Sequence, residues 1–199
     1  GLDSWGKIFT DRQLTVLSTF GDLVSEVRSV IEKDAQLVFK NMRDTPLRDG
    51  GTGPNAYADA VSIYLGFLVG QLANHSSTIF GWNSPNQQMR STFSRQALPM
   101  TWDFAEVNPF SESSGSYHSL FTRQVKGFEV LGNGDAKNTY IQQVDAQSVQ
   151  YPEGVVVSTD PPYYDNIAYA DLSDFFFSWM KKSLHSVFPD LFGMIATPK

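Results

Sequence analysis

The sequence predicts an α/β fold: part of a parallel sheet joined to a helical N-terminal region. Three observations carry that prediction. Val155, Val156 and Val157 form a β-branched apolar run, of the kind that fills a central strand covered on both faces. Thr139-Tyr140-Ile141-Gln142-Gln143-Val144 reads as a second strand, ending at Asp145. Around these lie four stretches whose apolar residues recur at helical spacing.

The first helix covers about residues 11 to 34. Thr10, Asp11 and Gln13 read as an N-cap with an acidic first turn, and Leu14, Leu17, Leu23, Val24, Val27, Val30 and Ile31 space out its stripe. Gly21 marks a place where it could divide in two. Residues 44 to 54 are rich in glycine, proline and charge and read as a mobile connector. They lack the Gly-Lys-Ser/Thr ending of a phosphate-cradling loop. A second helix, residues 56 to 75, carries a wide apolar arc from Ala60 to Leu72 and is predicted to be largely buried.

In Met100-Thr101-Trp102-Asp103-Phe104-Ala105-Glu106-Val107-Asn108-Pro109-Phe110, aromatic rings alternate with carboxylates and an amide. These polar groups could hold a ligand or could cap helix ends and lock an irregular loop; both readings stand. A third helix spans about residues 117 to 130. Gly132-Asn133-Gly134 after it reads as a turn, because no third glycine opens a following helix. The last helix is predicted from Asp171 or Ser173 to about His185, with Leu172, Phe175, Phe176 and Trp179 on its apolar face.

Composition narrows the function classes. A content of 41% hydrophobic and 14% aromatic residues belongs to a folded chain. A net charge of −6 argues against a general phosphate-gripping surface, so most attraction to a nucleic acid must come from another segment or subunit. Without cysteine there is no disulfide or thiolate metal site, and His75, His118 and His185 are too scattered to suggest a metal centre. No signal peptide opens the chain, and no unbroken apolar run reaches the roughly 20 residues of a membrane span. The expectation is a cytoplasmic protein with no membrane or metal partner. Gly1-Leu2-Asp3 and Thr197-Pro198-Lys199 look abrupt, as the ends of a piece of a longer protein do.

The chemistry concentrates where the valine run stops, at Asp160-Pro161-Pro162-Tyr163. The two prolines cannot donate ladder hydrogen bonds and hold the preceding residues extended. Ligands bind past the carboxyl ends of strands in open α/β sheets. There the Asp160 carboxylate and the Pro161 carbonyl can accept the two N–H groups of one planar amine. That makes the nitrogen more tetrahedral and aims its lone pair at an electrophile. Tyr163 can stack on the heterocycle that carries the amine. Tyr164, Asp165, Asn166 and Tyr169 line the same segment and are read as substrate-binding residues; closing the loop onto the next helix is their structural alternative.

The tetrapeptide resembles motif IV of the S-adenosylmethionine-dependent amino-methyltransferases, those acting on adenine in DNA above all. The longer stretch Thr159-Asp160-Pro161-Pro162-Tyr163-Tyr164-Asp165-Asn166-Ile167, continuing into Tyr169-Ala170-Asp171-Leu172-Ser173-Asp174-Phe175-Phe176, is similar to a family of large bacterial adenine-specific DNA methylases first catalogued as a domain of unknown function. The resemblance extends to Phe93-Ser94-Arg95-Gln96-Ala97, to Met100-Thr101-Trp102-Asp103-Phe104-Ala105-Glu106 and to the helix beginning at Ala56. It implies a partial class I (Rossmann-like) methyltransferase sheet in residues 117–199, carrying motifs III and IV, with residues 1–116 as a helical insertion or cover.

It also implies Asp145 as the motif III acid, with Asp145 and Asp160 approaching the cofactor S-adenosylmethionine. DNA and the remainder of the methylase are the implied partners, and phage defence is the implied setting. The family's glycine-rich motif I is missing from this chain, so the cofactor site is incomplete and the isolated piece is expected to be inactive. Methylation of RNA or of a protein amide, and a non-catalytic recognition or scaffold module, are the alternatives. Amide methylases often carry Asn at the first motif position, and Asp160 tilts the choice toward DNA.

Overall fold

Thr10 opens the longest element by the reciprocal contacts of a capping box. Its hydroxyl accepts from the Gln13 N–H at 3.3 Å, while Gln13 Oε1 accepts from the Thr10 N–H at 2.9 Å. Helix α1 then runs unbroken over Asp11–Val38 in a computed structural model that describes residues 3–94, 97–131, 141, 144–161 and 167–197. Its buried face is the stripe Gln13, Leu17, Gly21 and Val24. Gly21 does not divide the helix. A Cβ there would stand 3.3 Å from the Lys182 side-chain carbons, so the glycine admits the Lys182 stem across α1, and Lys182 Nζ reaches Asp22 Oδ1 at 2.6 Å.

Helix α2 spans Pro54–Asn74, with proline in its first turn, where the missing N–H costs nothing. Scanning for unbroken apolar runs overlooks it: its best 18-residue window has a mean hydropathy of 1.3, enough by length and composition to cross a membrane. In this fold 56% of that window is buried inside the protein, as befits a core helix. The preceding connector, predicted as mobile, is tied down. Leu47 N–H donates to Asp59 Oδ2 at 3.0 Å, Asn55 N–H to Asp44 Oδ1 at 3.1 Å and Arg48 to the Val187 carbonyl at 3.0 Å.

A short antiparallel hairpin follows, strands β1 (Trp82–Asn83) and β2 (Gln88–Met89), with Trp82 opposite Met89. Helix α3 occupies Tyr117–Val130 and is capped by Ser116, whose hydroxyl accepts from the Ser119 N–H. Helix α4 occupies Tyr169–Leu184. It starts earlier than predicted: Ala168 takes the cap position without a side-chain bond, and Asp171 falls inside the first turn.

Helices α1 and α2 pack together, α4 lies against both, and α3 packs on α2. One core cluster joins Ile8, Phe9, Leu17, Leu68, Leu72 and Phe175; a second joins Val24, Val69, Phe177, Leu184, Val187 and Phe192. Phe175 is the centre of the first. Its ring meets Trp5 at 5.5 Å, Phe9 at 5.9 Å, Phe93 at 4.8 Å and Phe176 at 5.0 Å.

The predicted α/β sheet, and with it the Rossmann-like assignment, is corrected by this structure. Among the described residues the fold is helical, and its single sheet is the two-stranded hairpin. Residues 155–157 form no strand, and Val156 is 96% exposed. Of the other predicted strand, Ile141 and Val144 are exposed and irregular, and residues 139, 140, 142 and 143 lie outside the described residues. The physical reason is that a buried parallel strand exists only by virtue of its neighbours, paired strands at its edges and helices on its faces. A β-branched run meets that requirement in composition, and the described part of this chain supplies none of the neighbours.

Candidate functional site

The described part of the predicted acceptor segment is exposed. Gly154, with φ of 81°, turns the chain in a conformation that L side chains rarely adopt, and residues 155–161 then continue without regular structure. Asp160 and Pro161 are exposed. Pro162, Tyr163, Tyr164, Asp165 and Asn166 lie outside the described residues. Tyr169 is the first residue of α4 and is 45% exposed.

Asp145 is exposed and shapes a turn. Its Oδ1 accepts from the Gln147 N–H at 2.9 Å, and its carbonyl accepts from the N–H groups of Ser148 and Val149 and from the Ser148 hydroxyl. Among the described residues no hydrogen bond or ion pair joins Asp145, Asp160 and Tyr169. Among the described residues the predicted cofactor acid is engaged locally, and no glycine-rich cradle at a strand end is seen.

Helix α4 anchors the far end of the acceptor segment. Phe175 is fully buried, and Asp174 Oδ1 accepts from both the N–H and the hydroxyl of Thr197, at 2.7 and 2.6 Å. The Thr197 hydroxyl also contacts the Ala170 carbonyl at 2.9 Å. Two of the other stretches quoted for the resemblance, those with Phe93 and α2, meet α4 here, and a third is tied to Phe80. Phe93 packs edge-on against Phe175, Leu68 and Leu72 of α2 join the same cluster, and Ala105 N–H donates to the Phe80 carbonyl at 2.9 Å.

The polar residues between Met100 and Phe110 have local roles. Asp103 Oδ1 accepts from the Phe104 N–H, and Asn108 Oδ1 accepts from the Phe110 N–H in a side-chain turn. Glu106 pairs through both carboxylate oxygens with the Nε and a terminal nitrogen of Arg12 on α1. The hydrogen bonds from Arg12 hold the Glu106 carboxyl below its ordinary range, against a smaller opposing effect of burial. This pair borders a pocket of about 350 Å³ lined also by Gln13, Val16, Ser76 and Pro109.

Further hollows lie among the described residues, and two of them concern the site. An apolar groove of about 460 Å³ runs along α1 past Phe20, Leu23, Val27 and Leu65 to Tyr117, whose phenol is pushed up in pKa by burial. A more polar groove of about 370 Å³ lies between the hairpin and the Met100 to Asp103 stretch. Sequence reading passed over Trp82 and Arg90, which line this groove with Trp102; the absence of any acidic residue between Asp59 and Asp103 was the signal available. It could not have paired Arg12 with Glu106, 94 positions apart, because neither sits in a spacing that marks a contact. Among the described residues no His, Cys, Asp and Glu cluster is arranged to hold a metal ion. Comparison with protein-family models, with curated proteins and with solved structures finds no match to this chain.

Proposed function

We propose that this chain is the acceptor-side part of a DNA amino-methyltransferase, gripping the exocyclic amino group of adenine at Asp160 and the Pro161 carbonyl. What supports the reading is the motif from Thr159 to Ile167, continuing into Tyr169 to Phe176, whose second part is the first half of α4. An exposed carboxylate on an extended segment, tethered at a rigid helix, can meet a base rotated out of a duplex. The two acceptors take the two N–H groups of the amine and orient its lone pair, so this chain contributes positioning and electrostatics. The methyl donor is assigned to residues outside this chain, as is most of the electrostatic attraction that holds DNA against a net charge of −6. The setting is cytoplasmic, in defence against phage.

The test is Asp160→Ala in the intact methylase of which this chain is taken to be a part. Methyl transfer to DNA is expected to be abolished while S-adenosylmethionine binding, measured by calorimetry, is retained. Unchanged methylation in the mutant overturns the assignment and leaves a recognition or scaffold module as the reading.

A further inference from the structure

Between Asp59 and Asp103 the chain contains no acidic residue, although 21 Asp and Glu are spread over the rest. The interval carries Arg90 and Arg95 instead. Part of its surface is the β1–β2 hairpin and the stretch leading to Thr101. Three hydrogen bonds fix how these lie together: Arg90 N–H to the Gly81 carbonyl at 2.9 Å, the Thr101 hydroxyl to the Thr78 carbonyl at 3.3 Å, and Ala105 N–H to the Phe80 carbonyl at 2.9 Å. Trp102 and Asp103 are thereby laid alongside Gly81 and Trp82 as walls of one groove of about 370 Å³.

The groove is lined by rings left in water. Trp102 is 96% exposed, Met100 86% and Trp82 52%. The other two tryptophans, Trp5 and Trp179, are packed against the core, so this exposure belongs to the groove and not to the residue type. Arg90, Thr101 and Asp103 share the lining with the indoles. Oδ1 of Asp103 already accepts from Phe104 N–H, and the carboxylate retains lone pairs for another donor.

We propose that this groove is a stacking platform for an unpaired nucleobase of the DNA strand, separate from the adenine held at Asp160. The proposal rests on the reading of DNA as the substrate. Flat heterocycles stack on indole faces whatever their sequence. Arg90 supplies a cation for a phosphate or for the acceptor edge of a base, and Asp103 accepts from an exocyclic amine. Asp103 is the acidic residue in the lining of the groove and Arg90 stands in the same lining, so a phosphodiester backbone meets little net charge there. An apolar peptide is the competing occupant, and a groove ringed by Arg90, Thr101 and Asp103 suits it less well than it suits a base.

The experiment titrates the 199-residue chain with a fluorescein-labelled single-stranded oligodeoxynucleotide and with its duplex, reading anisotropy and tryptophan emission. The single strand is expected to bind more tightly than the duplex and to quench the exposed tryptophans. Trp82→Ala and Trp102→Ala are each expected to weaken binding about 5- to 150-fold, the range of one lost base stack, while Trp102→Phe keeps most of it. Both positions are exposed, so circular dichroism of the variants is expected to match the parent. Absence of single-strand binding, or equal binding by the alanine variants, overturns the platform; a peptide-docking groove gives that second result. The readout is binding and not methyl transfer, so failure here and failure of the Asp160→Ala test are distinguishable.

Discussion

Arg28 of α1 reaches Asp59 of α2 with its Nε 2.8 Å from Oδ1, at a carboxylate only 1% exposed. The second carboxylate oxygen accepts from Leu47 N–H, and the Arg28 guanidinium also binds Asn55 Oδ1 and Glu32. One buried charge thus joins two helices and the connector between them. Asp59→Ala takes the buried carboxylate from the guanidinium, leaving it Glu32 and Asn55, and leaves Leu47 N–H unpaired; it is expected to cost about 3–5 kcal/mol in urea unfolding. The double replacement Arg28→Met with Asp59→Leu, which removes both charges, is expected to cost clearly less than the single one.

Phe175 touches four rings contributed by three separate parts of the chain. Phe175→Ala opens a cavity among side chains already fixed by one another and is expected to lower stability by about 3–5 kcal/mol. The fall in unfolding midpoint checks it. A loss below about 1 kcal/mol, the scale of an ordinary surface change, goes against this ring as the anchor of α4.

Glu106 loads the fold with a pH dependence of known sign. Its carboxyl is held below the ordinary value of 4.5 by Arg12, so the contribution is complete above that value and is lost as pH falls through the lower folded one. The difference in urea midpoint between the parent and Glu106→Gln is therefore expected to hold steady from about pH 7 to about pH 5 and to close in more acid solution. Arg12 is largely exposed, so the gap is expected to be small and to shrink with added salt. A gap that persists at about pH 2 contradicts this account.

The four helices were legible because their information is local. Thr10 and Gln13 announce the start of α1 and the apolar stripes give the faces, whereas Pro54, in the first turn of α2, reads in sequence as part of the connector. The sheet was misread because strand formation is not local. Three valines in a row specify burial on two faces only when other segments provide those faces, and the described residues do not. Asp145 shows the same limit at one residue: an acid after an apolar stretch can approach a cofactor or close a turn, and here it binds Gln147 N–H. The roles of Arg12, Arg28 and Lys182 were illegible because each partner depends on how helices cross, which spacing along one helix does not encode.

Val156 has a consequence for how the protein behaves in solution. An extended, β-branched stretch with its backbone unpaired by any sheet among the described residues is a nucleus for self-association, the edge that sheet proteins blunt with charge. Val156→Lys is expected to leave the unfolding midpoint nearly unchanged and to raise the concentration at which light scattering first climbs. On this account the colloidal stability of a helical chain is set in part by three residues that belong to none of its helices.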